Sequence, residues 1–232
     1  MKTNKIYNGD CLDLIRDLPD ECIDAVITDP PYSAQMQHNG TAAMTSDLNI
    51  CKPFFRETLK EIKRVLKPGG LVYWFCDWRS YGFFYDMFSE VLPAKNMLVW
   101  NKISGKGTYY SFTHELIIFT GKGTVCISGA SVIKEAAFCS GARATDGEKV
   151  HPTQKPIRLI SKLITDSTQK GDLILDCFAG SCTTAVAAIY NQRDYICFEL
   201  QEKYCEIGEQ RVKKAMEVFA VESKEIAKKT LF

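Results

Sequence analysis

The chain has 232 residues, 46% of them hydrophobic and 25% charged, which are values of one ordinary globular domain with room for an inserted subdomain, so dominant disorder is excluded. Twenty-nine basic residues stand against 28 acidic ones, leaving a net charge of +1. Coating of nucleic acid by bulk charge is thereby excluded, and any such binding must use a local patch. No apolar run approaches ~18 residues, so no membrane-spanning helix is expected. No segment recurs at a fixed period, as a repeat array would require. The start, MKTNKIYNGD, lacks the apolar core of a secretory signal. The ten cysteines are scattered through apolar runs with neither a CxxC pair nor zinc-like spacing. They are expected to be reduced, mostly core residues of a cytoplasmic protein, with no metal bound.

In chain order, Lys5–Asp10 reads as a short strand and turn, and Leu12–Leu18 as a helix. Ile23–Thr28 is a buried strand that stops at Asp29-Pro30-Pro31-Tyr32, where two prolines end regular structure. Ser33–Asn49 has the look of a loop. Pro53–Leu66 is an amphipathic helix with Phe54, Leu59, Ile62, Val65 and Leu66 on its apolar stripe, stopped by Pro68-Gly69-Gly70. Leu71–Cys76 is a buried strand, Ser80–Val91 a helix, and Met97–Asn101 and Glu115–Thr120 are strands. Gly121–Val150 has no sustained period and reads as an insertion. Pro156–Asp166 is a helix, Asp172–Asp176 a strand, Thr183–Tyr190 an alanine-rich helix and Tyr195–Leu200 a strand. Gln201–Ala220 is a long charged helix, and residues 221–232 are expected to fray. Strands separated by helix-length segments imply an α/β fold, a mostly parallel sheet with helices on both faces. Ligands on such sheets sit at the C-terminal strand ends, near the point where strand order reverses.

Four segments at such positions carry chemistry. The first is Asp29–Tyr32. A planar exocyclic amine, such as N6 of adenine, is a poor nucleophile because its lone pair is delocalised into the ring. A carboxylate accepting one N–H and a backbone carbonyl accepting the other draw that nitrogen toward tetrahedral geometry. Asp29 and the Pro30 carbonyl, its direction fixed by Pro31, supply those acceptors, and Tyr32 can stack on the base. The second is Asp176–Thr184, a strand-to-helix turn. There Gly180 permits close backbone approach, Ser181 and Thr183 offer hydroxyls at a helix start, and Phe178 offers an apolar face. A well-capped ordinary turn would carry the same residues. The third is Glu199, where an acidic strand end grips ribose hydroxyls in dinucleotide folds, or is simply solvated. The fourth is His151–Pro156, offering a cation at Lys155 or a proline-rich helix entry.

Together these segments resemble the amino-directed DNA methyltransferases that use S-adenosylmethionine, in the permuted order of the beta group: DPPY first, then target recognition, an HPTQKP-type segment and a late DPF-x-GSGTT motif. The resemblance covers Ile6 to about Lys214. It implies a Rossmann-like class I methyltransferase fold with a seven-stranded sheet, carrying a target-recognition insertion at residues 121–150. It further implies methyl transfer to adenine N6 in double-stranded DNA with the base flipped out, S-adenosylhomocysteine as product, and no metal. Asp29, with Pro30 and Pro31, would accept the target amine, and Tyr32 would stack on it. Asp176, Phe178, Ala179, Gly180, Ser181 and Thr183 would line the methionine half of the cofactor beside Asp29. Glu199 and Leu200 would bind its ribose, Asp10 and Cys11 its adenine end, and Lys155 with His151 its carboxylate end. Two positions depart from the pattern. Cys182 replaces the second glycine of GSGTT, which is strained if the backbone there needs a positive φ. Cys177 replaces the usual proline. Transfer to cytosine N4 uses the same parts, although DPPY rather than SPPY leans toward adenine. RNA and protein-glutamine methyltransferases usually place the cofactor motif first. A non-catalytic DNA-binding relative with a decayed cofactor site is the alternative of another class.

From Trp100 to Lys155 seven basic residues face four acidic ones, a local excess over the chain average. Lys102, Lys106, Lys122, Lys134, Arg143 and Lys149 are therefore candidate DNA contacts, with Tyr109 and Tyr110 either beside them or in the core. The recognition segment is short, so a homodimer, common in the family, is a partner hypothesis. No nuclease motif is present, and a cognate restriction endonuclease would be a separate chain. The terminal Leu231-Phe232 faintly resembles a sliding-clamp tail, but a frayed terminus packing two apolar residues is the preferred reading.

Overall fold

The computed structural model describes residues 1–31, 48–137 and 154–230, with the backbone alone at 37–38, 41–42 and 222–230. The expectations placed on Tyr32, Cys139, Arg143, Lys149, His151, Leu231 and Phe232 lie outside the described residues.

The elements are β1 (Lys5–Asn8), α1 (Cys11–Arg16), β2 (Ile23–Thr28), β3 (Gln37–His38), β4 (Thr41–Ala42), α2 (Lys52–Val65), β5 (Leu66–Cys76) and α3 (Tyr81–Val91). There follow β6 (Asn96–Asn101), β7 (His114–Gly121), β8 (Val132–Lys134), α4 (Ile157–Ser167), β9 (Leu173–Asp176), α5 (Thr183–Tyr190), β10 (Asp194–Glu199) and α6 (Glu202–Thr230). Eight strands form one sheet in the order β1-β10-β9-β2-β5-β7-β6-β8, and β3 pairs with β4 apart from it. Every neighbouring pair in the large sheet is parallel except the two that involve β7, so β7 alone is reversed. The chain winds outward from β2 in one direction and from β9 in the other. Strand order therefore reverses between β9 and β2, and a crevice opens at their C-terminal ends.

Side chains alternate across the sheet with a period of two. On β5, Val72, Trp74 and Cys76 enter one core with Ile15, Phe55, Leu59, Ile62, Phe84 and Phe88 of α1, α2 and α3. Leu71, Tyr73 and Phe75 enter the other, with Leu159, Leu163, Ala185 and Val212 of α4, α5 and α6. Both faces of the parallel strands are thus covered, which is why β2 is apolar almost throughout.

Four sequence expectations are corrected. The sheet has eight strands rather than seven, because β8 forms inside the stretch read as an insertion and pairs with β6. Pro68-Gly69-Gly70 does not lie between helix and strand but inside β5, where pairing with β2 jumps from Leu66 to Leu71. A Cβ at Gly70 would come within 2.9 Å of the Asp24 carbonyl oxygen, so the bulge fits only glycine there. The buried stripe of α2 runs through Phe55 and Thr58, while Phe54 is only partly covered. Helix α6 extends past its expected end at Ala220, to Thr230.

Candidate active site

The crevice is braced by a buried carboxylate. Asp176 ends β9, and its Oδ1 accepts hydrogen bonds from Thr28 Oγ1 at 2.9 Å and from the Phe178 N–H at 3.1 Å. Its Oδ2 accepts from Thr184 Oγ1 at 2.6 Å. Asp176 therefore ties β2, β9 and α5 together at the switch point. Burial pushes its pKa up to about 6, against the opposing pull of these hydrogen bonds.

Asp29 stands one residue beyond β2. Its Oδ2 is ion-paired to Lys155 Nζ, and Lys155 is buried just before α4. The same ammonium lies 3.3 Å from Glu115 Oε2 on β7, while Glu115 Oε1 accepts from Lys102 Nζ at 2.9 Å. Lys155 also sits 5.1 Å from the centre of the Phe75 ring. Negative and positive charges thus alternate from Asp29 through Lys155 and Glu115 to Lys102. Among the described residues, Asp29 Oδ1 is buried and accepts no hydrogen bond. Burial raises the Asp29 carboxyl to about 6; Lys155 pulls it down and Glu115 pushes it up. For Lys155, burial disfavours the ammonium, but the two carboxylates outweigh that and hold its pKa above the ordinary value. Burial likewise opposes the Glu115 carboxylate, and Lys155 with Lys102 brings its pKa below the ordinary value.

The turn after β9 is pinned from two sides. The Ala179 N–H donates to the Phe198 carbonyl at 2.9 Å, and the Gly180 N–H donates to Glu199 Oε2 at 2.8 Å. Glu199 Oε1 accepts from the Gln201 N–H at 2.8 Å. Burial raises the Glu199 pKa, partly countered by these amides. Each carboxylate oxygen keeps a further lone pair. From α6, Arg211 donates to the Ser181 carbonyl, to Ser181 Oγ at 3.0 Å and to Thr183 Oγ1 at 3.2 Å. Phe178 meets Phe54, Phe55 and Trp74 edge to face at 6.1–6.3 Å. Cys182 adopts φ 58° and ψ 39°, the left-handed region, and its buried side chain packs where Gly208 of α6 has none.

At the neighbouring edge, Asn8 Nδ2 donates to the Glu199 and Leu200 carbonyls at 2.9 and 3.0 Å. Asp10 caps α1, accepting from the Leu12 N–H at 2.8 Å. Cys11 is a core residue whose thiol burial pushes up to about 12. Leu200 is exposed.

The fold thus gathers Asp29, Lys155, Asp176, Phe178, Ala179, Gly180, Ser181, Thr183 and Glu199 about the C-terminal ends of β2, β9 and β10, with Asp10 after the neighbouring β1 and Pro30 and Pro31 beside Asp29. Several placements differ from the sequence reading. Lys155, expected at the carboxylate end of a cofactor, is held by Asp29 and Glu115. The hydroxyls of Ser181 and Thr183 are bonded to Arg211. Lys122 is at the opposite end of the sheet, where it pairs with Glu21 at 2.9 Å and donates to the Leu66 carbonyl. Its position after reversed β7 puts it there, away from Lys102, Lys106 and Lys134. Lys102 is committed to Glu115, whereas Lys106 and Lys134 are exposed. Two site residues were not found by sequence reasoning. Glu115 had one available signal, a carboxylate opening an otherwise apolar strand; Arg211, in a charged helix, had none. Among the described residues, no group of three or more His, Cys, Asp or Glu side chains is placed to hold a metal ion. Nor is any helix there long and apolar enough to cross a membrane.

A mostly parallel sheet with one reversed strand, helices on both faces and acidic residues at adjacent strand ends defines a class I methyltransferase fold. The chain belongs to the N6_N4_Mtase family, described as DNA methylase, whose match spans residues 23–210. It is a DNA methyltransferase of the N6/N4 amino-directed family. It is 28% identical over 248 residues to the type II methyltransferase M.HinfI of Haemophilus influenzae, covering 90% of this chain and 68% of that protein. Its fold is similar to that of M1.HpyAVI in a crystal structure with SAM, with a TM-score of 0.68, 23% identity and coverage of 90% of this chain and 98% of that one. It is also similar to the cytosine-N4-specific PvuII DNA methyltransferase, with a TM-score of 0.71, 19% identity and coverage of 95% and 92%.

Proposed function

We propose that this enzyme methylates the exocyclic N6 of adenine in DNA, with the target base flipped out of the duplex. The observation that carries the reading is the Asp29 carboxylate: Lys155 holds Oδ2, and Oδ1 is a buried acceptor without a partner among the described residues. An unsatisfied buried acceptor is unfavourable, and an incoming N–H would satisfy it. S-adenosylmethionine, the family's cofactor, supplies a methyl group on a sulfonium. Glu199 has lone pairs left that would hold its ribose, and the turn from Phe178 to Thr183 would border its methionine half. Asp29 Oδ1 accepts one N–H of the amine while the Pro30 carbonyl accepts the other, localising the nitrogen lone pair for in-line attack. As the N–C bond forms the sulfur–methyl bond breaks, sulfur keeps that electron pair in the thioether product S-adenosylhomocysteine, and a carboxyl whose pKa is raised to about 6 is suited to take the proton the amine then sheds.

Adenine is favoured over cytosine by the aspartate that opens the tetrapeptide. The test is incubation with labelled S-adenosylmethionine and unmethylated duplex DNA, with Asp29→Ala as control, followed by mass analysis of the nucleosides. N6-methyladenine that vanishes in the control is the expected result. N4-methylcytosine would overturn the base. Methylation surviving in Asp29→Ala would overturn the role of Asp29.

The β6–β7 connection leaves the sheet at the same end as Asp29, since Asn101 pairs with His114 and Cys76 with Leu116. Tyr109 and Tyr110 are 96% and 91% exposed there, next to Lys106 and beside the exposed Phe112. We assign this loop to the DNA face. Basic and aromatic side chains together suit backbone contact and base stacking. Lys106→Ala is expected to weaken DNA binding about equally across sequences and to reduce the log–log salt slope by about 1. Tyr109→Ala with Tyr110→Ala should weaken it by about 10-fold or more. Anisotropy titrations at several salt concentrations check both. An unchanged affinity and slope would remove the loop from the interface.

A further inference from the structure

We propose that Glu115 is a positioning residue for methyl transfer: from β7 it holds the Lys155 ammonium, so that Lys155 engages Asp29 through Oδ2 alone and Oδ1 is left to face the target amine. The inference rests on the reading of Asp29 as the amine acceptor. Lys155 Nζ has three donors and two carboxylates near it, Asp29 Oδ2 on one strand end and Glu115 Oε2 at 3.3 Å on another. Glu115 is in turn fixed by Lys102 at 2.9 Å, through its other oxygen. An ammonium attracted to Asp29 alone would be free to straddle both carboxylate oxygens, and that would occupy the acceptor the reaction needs. A second carboxylate draws it to one side. The four alternating charges also balance formally, which is how a buried ion pair avoids an uncompensated charge.

The arrangement has an electrostatic signature. Among the described residues, the charged or titratable groups facing Asp29 are Lys155 before α4, Glu115 on β7 and Asp176 on β9, with Cys76 on β5 and Lys102 behind Glu115. Burial holds the Cys76 thiol neutral, so it adds no charge. Glu115 raises the Asp29 pKa and Lys155 lowers it. Removing the two charges must therefore shift Asp29 in opposite directions. A side chain that only packs β7 would give no such pair of shifts.

The experiment follows Asp29 directly in the ligand-free full chain, by carbon-13 NMR of carboxyl-labelled aspartate, with its resonance identified by loss in Asp29→Asn. The wild type is expected to titrate near pH 6. Glu115→Gln should lower that midpoint by about 0.5–1 unit, and Lys155→Gln should raise it by about 1 unit or more. Glu115→Asp keeps the charge and should stay near the wild type. In steady-state assays Glu115→Gln should lower kcat by about 10-fold or more, leave KM for S-adenosylmethionine within about 2-fold, and move the acid limb of the pH profile down with the NMR midpoint. Glu115→Asp should restore part of kcat. An Asp29 midpoint that Glu115→Gln does not move, or a kcat that it does not lower, overturns the proposal. If Glu115→Gln fails to fold by circular dichroism, an Asp29 midpoint unmoved in Lys155→Gln overturns it instead. A wild type that leaves DNA unmethylated would defeat the functional reading while the NMR titration still decides whether Glu115 and Lys155 set the state of Asp29.

Discussion

Replacing Asp29 with asparagine is expected to slow methyl transfer by about 1,000-fold while S-adenosylmethionine binding changes by no more than about 3-fold. The two side chains have nearly the same shape, so the consequence is one of polarity. Lys155 donates to whatever lies at Oδ2, and an amide must turn its carbonyl oxygen toward that ammonium. Its NH2 then occupies the position of Oδ1, the buried acceptor without a partner among the described residues. A donor there meets a donor on the target amine. The nitrogen lone pair stays in the ring, and the proton released on methylation has no base to receive it. Lys155 also loses a full negative partner, although Glu115 remains 3.3 Å away to hold it. Single-turnover methyl transfer and calorimetric cofactor binding, measured on the same preparation, separate the effects. A parallel fall in rate and affinity would assign Asp29 to the cofactor as much as to the amine.

The part of this site that was legible in the sequence is the part built by strand ends. Asp29, Asp176 and Glu199 each close or follow an apolar run, and a parallel sheet buried on both faces writes such runs plainly. The limits of β2 and α5 coincide with the expected ones for the same reason, since a proline pair stops one and a glycine-containing turn opens the other. What the sequence concealed depends on distant pairing. Strand β8 is only Val132–Lys134 and exists because β6 offers it an edge. Lys155 sits beside His151 and Gln154 in the chain, yet its partner Asp29 is 126 positions away. Glu115 acquires its meaning only from that pairing. Arg211 is one charge among many on α6, and nothing in its neighbourhood announces that it holds Ser181 and Thr183. Sequence patterns report which face of an element is buried. They do not report which of several cations reaches a particular carboxylate.

Gly208→Ala should lower stability by about 1–3 kcal/mol, and Cys182→Gly should recover most of that loss in the double variant. The reasoning starts from the departure at Cys182, whose φ of 58° is the conformation glycine adopts without strain. A non-glycine residue there is disfavoured by about 1 kcal/mol or more. Its side chain is also fully buried, and it fits because α6 presents a bare Cα opposite. A Cβ built on Gly208 would lie 2.4 Å from Cys182 Sγ and 3.0 Å from its Cβ, with Ile6 Cδ1 at 3.1 Å. The Cys182 contacts fall below van der Waals separation, and even if the thiol rotates, its Cβ stays in place while the Cys182 N–H donates to the Ala179 carbonyl at 2.7 Å. Alone, Cys182→Gly should be nearly neutral, because relief of the left-handed strain offsets the small void left by the thiol. In the Gly208→Ala background the same change vacates the space the new methyl group needs. Urea midpoints at unchanged m-value give the four stabilities of the cycle. Cofactor affinity across it tests whether the cysteine impairs the turn that holds Gly180 against Glu199. Equal affinity in the double variant and the wild type would mean that Cys182 and Gly208 together preserve the turn that a glycine at 182 makes by itself. A Gly208→Ala variant as stable as the wild type would instead require α6 to move away from the turn. Arg211 would then lose its hold on Ser181 and Thr183, and cofactor affinity would fall even though stability did not.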